Sequence, residues 1–161
     1  MSRGKCLILG FGSDALSDDG LPVRLVEDLK TIYNQEDFTF ASSPVGGIEL
    51  IGLLDGYEKA VLIDTQMTSR RKPGEIIEFT PDNFQETFHL SSQHDVSFQE
   101  AMQLAELMDI GMPSQIHIVA IEVSENKILS FELSDIIRDQ YPSILSYLCR
   151  VLNNITGRDD Q

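Results

Sequence analysis

The chain alternates short, wholly apolar runs with stretches whose apolar residues recur at helical spacing. Cys6-Leu7-Ile8-Leu9-Gly10 is apolar throughout and ends in glycine, the pattern of a strand covered on both faces. A loop follows from Phe11 to Asp19. Leu21, Leu25, Leu29 and Ile32 then predict a helix, and Pro22 sits in its first turn, where a missing N–H is tolerated. Phe38-Thr39-Phe40-Ala41 predicts a second strand, and Ile48, Leu50, Ile51, Leu53 and Leu54, led by Gly46-Gly47, a short helix. Ala60-Val61-Leu62-Ile63 predicts a third buried strand stopping at Asp64. Glu75-Ile76-Ile77-Glu78-Phe79 is more polar and suits a sheet edge.

Beyond a polar loop from Thr80 to about Asp95, Phe98, Ala101, Met102, Ala105 and Met108 mark one face of a helix. Ile116 to Ile121 predicts the last strand. Ser134 caps a C-terminal helix carrying Ile144, Leu148, Leu152 and Ile155, with a kink expected at Pro142. Strands that alternate with helices in this way predict a three-layer α/β/α sandwich around a largely parallel sheet. Such sheets bind ligands just beyond the carboxyl ends of their strands.

Length and composition fit a single domain over residues 1–161: hydrophobic residues make up 42% and charged residues 24% of the chain. No apolar run approaches the ~18 residues of a membrane span. Cys6 and Cys149 lie inside apolar patterns and read as small buried residues of a reduced, cytoplasmic protein. With 12 Lys and Arg against 26 Asp and Glu, the formal charge is −14, which argues against nucleic acid or anionic membrane as a partner. No Lys or Arg occurs between Pro73 and Asn126. Ser69-Arg70-Arg71-Lys72 is the densest positive cluster and reads either as an exposed loop or as a contact for an acidic patch.

Three ionisable groups can converge at the strand ends: Asp18-Asp19 after the first strand, Asp64 after the third, and His94 before the Phe98 helix. Two carboxylates and an imidazole suit a divalent transition metal. Each also has a plainer role: Asp18 or Asp19 as a helix cap, Asp64 as a turn former, His94 as a solvated loop residue. His89 and His117 read as structural or exposed. Gly10-Phe11-Gly12 lacks the third glycine of a dinucleotide loop, since Ala15 stands there. An acidic pair and a strand-end aspartate also describe response-regulator receivers. That assignment fails because Asp18 comes eight residues after Gly10, and the last buried strand is followed by Glu122 rather than lysine.

Four segments in order resemble the [NiFe]-hydrogenase maturation endopeptidases. They are Leu9-Gly10-Phe11-Gly12-Ser13 with Ser17-Asp18-Asp19-Gly20 and Val23-Arg24-Leu25-Val26; Gly47-Ile48-Glu49-Leu50; Leu62-Ile63-Asp64 with Lys72-Pro73-Gly74; and Ser92 to Phe98, holding His94-Asp95-Val96-Ser97. Ile118 to Glu122 and the helix containing Pro142 also fit, so the resemblance spans about residues 5 to 155. It implies a twisted, mostly parallel five-stranded sheet between helices. It implies Asp19, Asp64 and His94 as both metal ligands and catalytic residues, with Asp18 in support. The implied activity is nickel-dependent removal of a C-terminal peptide from the hydrogenase large-subunit precursor, after nickel insertion. The nickel can arrive with that precursor, and a monomer suffices. The alternative is a non-catalytic factor of the same fold that binds the metal or the large subunit. Two positions depart from the family: Ser13 replaces the usual Asn, and Ser43-Pro44-Val45-Gly46 replaces a glycine-threonine turn beside the cleft.

Overall fold

A computed structural model describes residues 6–91 and 96–157. The apolar runs form one five-stranded sheet: β1 (Cys6–Phe11), β2 (Phe38–Ser43), β3 (Lys59–Gln66), β4 (Ile76–Phe79) and β5 (Gln115–Glu122). Their order across the sheet is β2-β1-β3-β5-β4. All pairings are parallel except β4 with β5, which is antiparallel and puts the more polar strand at an edge, as its composition predicts. The central strands are covered on both sides: β1 is buried at every position, and β3 at every position after Lys59.

Two apolar layers enclose the sheet, as the three-layer expectation requires. On one face, α1 (Leu21–Ile32) and α4 (Asp135–Thr156) pack Leu25, Leu29, Ile137, Ile144 and Leu148 onto Ile8, Val61, Ile63, Val119 and Ile121. On the other, α2 (Glu49–Leu54) and α3 (Phe98–Leu107) cover Leu7, Leu9, Leu62, Ile118 and Ala120 with Leu50, Leu54 and Phe98. Each fully buried leucine contributes about 1.5–3 kcal/mol of transfer free energy, so both helical layers are held chiefly by their apolar stripes. The start of α3 is fixed locally by a capping box: Glu100 N donates to the Ser97 hydroxyl, and the Glu100 carboxylate accepts from Ser97 N.

Several boundaries differ from the sequence expectation, and the differences bear on chemistry. β3 does not stop at Asp64 but runs on to Gln66, because Asp64, Thr65 and Gln66 stay in register with Ala120, Ile121 and Glu122. Asp64 therefore projects from within the strand, on the same face as Ala60 and Leu62. β1 likewise extends to Phe11, and β2 to Ser43. Ser134 does stand at the N-terminus of α4, but its side chain makes no cap bond and is used elsewhere. Among the described residues, no helix is long and apolar enough to cross a membrane.

Candidate active site

Asp19 reaches the site through a sharp local construction. A 3-10 turn, Ser17–Gly20, bridges β1 and α1, and its residues are buried. Ser17 holds a left-handed φ of 51°, a strained conformation for a residue with a β-carbon, and its N–H donates to Ser130 O at 2.8 Å. The turn lies directly over the end of β1. At Gly12 (φ 145°) a β-carbon would come within 1.9 Å of Asp19 O, so only glycine lets the two segments meet.

Asp18 does not cap α1. It is fully buried and accepts from Ser134 N (2.7 Å), Ser134 Oγ (2.8 Å), Glu125 N (3.1 Å), Ser124 Oγ (3.3 Å) and Ser124 N (3.4 Å). It thereby ties the Asp19 turn to the loop after β5 and to Ser134, the residue just before α4.

Asp64 is equally buried, and both of its oxygens are occupied. Oδ1 accepts from Thr65 N (2.9 Å) and His89 Nδ1 (2.8 Å); Oδ2 accepts from Thr87 Oγ1 (2.8 Å) and His89 N (2.7 Å). The segment carrying Thr87 and His89 joins the end of β3 through Phe88 N–H to Thr65 O at 2.9 Å. At Gly46 a β-carbon would lie 2.2 Å from His89 O, so that glycine admits the segment to the sheet.

His89, read from sequence as structural or exposed, is the imidazole of this site. Its ring stands between the two aspartates, with Nδ1 on Asp64 and Nε2 facing Asp19 Oδ1 at 3.6 Å. Phe11 stacks on it at 6.4 Å between centroids, and Phe88 meets it edge-on at 4.9 Å. The ionised carboxylate can only accept, so the hydrogen on Nδ1 points to Asp64. The sequence signal was the alternation Thr87-Phe88-His89-Leu90, polar and apolar by turns, inside a loop otherwise taken as polar. His117 is half-buried on β5, three positions before the residue paired with Asp64. His94 lies outside the described residues.

The electrostatics follow from this placement. Burial pulls the His89 imidazole down, but its hydrogen bond to Asp64 and the charges of Asp64 and Asp19 outweigh that and hold it above the ordinary histidine value. Burial raises Asp19 despite the opposing pull of His89 and of Ser13 N. Asp19 Oδ2 accepts from Ser13 N at 2.8 Å, a backbone donor that does not depend on which side chain stands at position 13. Asp19 Oδ1 is buried and has no hydrogen-bond partner.

Carboxylate oxygen and imidazole nitrogen are the donor types a divalent transition metal takes, and the orphaned Oδ1 is the atom with capacity to spare. Among the described residues, no three His, Cys, Asp or Glu side chains form a metal-holding group by themselves. Asp19 Oδ1 and His89 Nε2 are two donor atoms of these types, 3.6 Å apart.

Beside His89 opens a cavity of about 350 Å³, walled by Pro44, Val45, Gly46, Phe88 and Val96. The Pro44-Val45 departure borders the cleft, as its sequence position predicts. A larger cavity, about 740 Å³, lies between α1 and α4 and is lined by neither aspartate nor by His89. Arg70, Arg71 and Lys72 are exposed, with Arg71 4.0 Å from Glu75.

Comparison with solved structures gives the same fold. The hydrogenase maturating endopeptidase HybD from E. coli superposes with a TM-score of 0.71 at 18% identity, covering 93% of each chain. An endopeptidase from Escherichia coli known from its solution structure gives 0.73 at 16% identity, again over 93% of each. The [NiFe] hydrogenase maturation protease HycI from Thermococcus kodakarensis gives 0.65 at 19% identity over 92% of each. No curated protein matches the chain in sequence. Residues 23–151, which carry most of α1, Asp64, His89 and most of α4, match the hydrogenase maturation protease model HycI. The chain belongs to the hydrogenase maturation protease family, a family of peptidases.

Proposed function

We propose that this peptidase is nickel-dependent and removes the C-terminal peptide of a [NiFe]-hydrogenase large-subunit precursor once nickel is in place. The observation that carries the proposal is the buried Asp19 Oδ1, unpartnered and turned toward an imidazole nitrogen 3.6 Å away. A carboxylate oxygen left without a partner costs about 1–3 kcal/mol, and a cation presented by the substrate offsets that cost. Few protein donors and open positions suit a site that inspects a metal already carried by the precursor. The metal's thiolate ligands there would complete the coordination.

His94 enters the proposal through the resemblance alone, as a third donor. A bound divalent cation supplies polarisation of the scissile carbonyl and a lowered pKa for an attacking water. The chain's own residues do the rest: Asp19 and His89 bind and orient, Phe11 and Phe88 fix the ring, and the Pro44–Gly46 wall receives the substrate chain. Direct attack by water is the hydrolytic route we propose. The working location is the cytoplasm.

The test is cleavage of nickel-loaded against nickel-free precursor by the wild-type chain, Asp19→Asn and His94→Ala. We expect cleavage only with nickel, and a loss of at least ~100-fold in kcat/KM for Asp19→Asn, the order seen when a group that stabilises the transition state is removed. Equal cleavage of both precursors would remove nickel from the proposal. Unchanged nickel-dependent cleavage by His94→Ala would remove that residue.

A further inference from the structure

We infer that the loop after β5 is a docking surface for the body of the peptidase's protein substrate, with Ile128, Leu129 and Phe131 as its apolar anchors. That this substrate is the hydrogenase large-subunit precursor rests on the function proposed above. The three side chains are 58%, 82% and 70% exposed and lie within four consecutive residues. Exposed apolar side chains scattered singly are ordinary, but a contiguous run of them marks a surface that meets a partner. Lys127 is the only charged residue from position 127 to 131, in a chain whose formal charge is −14. Phe131 also lines the cavity of about 740 Å³ between α1 and α4, together with Val23, Leu133 and Pro142, so the loop offers a ridge and a recess side by side.

The loop is held too firmly for this exposure to be slack. Glu125 Oε1 accepts from Lys127 N (2.7 Å) and Ile128 N (3.1 Å), and Glu132 N donates to Ser130 Oγ (3.1 Å). Ser130 N donates to Ala15 O (2.9 Å) and Ser130 O accepts from Ser17 N (2.8 Å), a short parallel bridge across Leu16. Asn126 and Leu133, which flank the run, are buried. A partner that meets side chains on a preset backbone loses little ordering entropy, the condition for an effective anchor.

Position and charge select the occupant. The loop follows β5 and therefore stands at the carboxyl end of the sheet, and its bridge partners Ala15 and Ser17 belong to the segment that leads into Asp19. A chain brought to Asp19 for cutting has the rest of its body beside this loop. A second copy of the protein fits poorly, because it would bring two formal charges of −14 together, and an anionic membrane is repelled for the same reason. The surface that fits is an apolar patch on the substrate, with one side chain entering the recess beside Phe131.

The test compares the full chain with the double variant Leu129→Ser/Phe131→Ser, and with Leu107→Ser, which removes a leucine of similar exposure (84%) at the end of α3. Biolayer interferometry reads binding of the large-subunit precursor, nickel-loaded and nickel-free, and cleavage of the loaded form gives kcat and KM. We expect the double variant to weaken binding of both forms by at least ~10-fold, and to raise KM while kcat at saturation stays within ~2-fold. Ile128→Ser, a single change on the same loop, should weaken binding in the same direction. Leu107→Ser should bind as the wild type does.

Wild-type binding by the double variant overturns the inference. An equal loss in Leu107→Ser also overturns it, since the effect would then belong to apolar surface in general. So does sedimentation that shows a wild-type dimer broken by the double variant, because a second copy would then cover the loop. The function proposed above fails separately. A chain that binds the precursor through this loop but leaves it uncut keeps the docking surface and loses the cleavage. A chain that cuts the precursor while the double variant binds and cuts normally does the reverse.

Discussion

Replacing Asp18 by alanine tests the idea that this residue, rather than capping α1, holds the Asp19 turn to the rest of the molecule. The carboxylate is fully buried, and alanine leaves its donors facing a void. The two shortest bonds from backbone groups, Ser134 N at 2.7 Å and Glu125 N at 3.1 Å, count most, because neither amide can turn away. The hydroxyls of Ser134 and Ser124 can rotate toward water once the carboxylate is gone. Hydrogen bonds to a charged acceptor contribute about 1.5–3 kcal/mol each, so two fixed ones set an expected loss of about 3–5 kcal/mol after some relaxation. Urea unfolding followed by circular dichroism measures it, with Asp18→Asn as the control that retains one acceptor oxygen and should lose roughly half as much. A drop below ~1 kcal/mol for Asp18→Ala, at unchanged m, would refute the argument, since it would mean the loop after β5 and the start of α4 do not depend on this anchor.

The stability of the protein should also fall as pH rises through the neutral-to-alkaline range. His89 and Asp19 are both held above their ordinary values, so the folded state binds their protons more tightly than the unfolded chain. The stabilisation from His89 is complete below its unfolded value of about 6.5 and is lost as pH climbs through the raised folded value. Urea midpoints between pH 6 and 9 should show that slope for the wild type, and His89→Ala should flatten it; an unaltered slope would place the effect elsewhere. Gly12→Ala should cost about 2–4 kcal/mol and lower peptidase activity together, because the new β-carbon meets Asp19 O at 1.9 Å with φ at 145°. Wild-type melting and activity in that variant would show that the turn can slide off β1.

The sequence carried the fold because a fold of this class is written in period and order. Short uninterrupted apolar runs such as Cys6–Gly10 and Ala60–Ile63, too brief for helices of their own, suit strands buried on both faces, and the helix-spaced leucines between them supply the two outer layers. It also carried Asp19 and Asp64 as acids at the carboxyl ends of neighbouring strands, since parallel pairing brings those ends together wherever they lie in the chain. The roles of individual side chains followed a different rule. Whether Asp64 is open or saturated depends on what arrives beside it, and its partners Thr87 and His89 come from a loop more than twenty residues downstream. Asp18 looked like a local cap because capping is what sequence neighbours can offer; its actual donors come from residues 124–134, which follow β5, two strands away from β1. His89 carried no motif, and only the packing of Phe11 and Phe88 around it, together with the bare backbone of Gly46, turns it into the imidazole between two carboxylates. Hydrophobic burial is a sum over many residues and survives in one-dimensional pattern, whereas a hydrogen-bonded site depends on a few directional contacts within 3 Å that only the folded chain brings together.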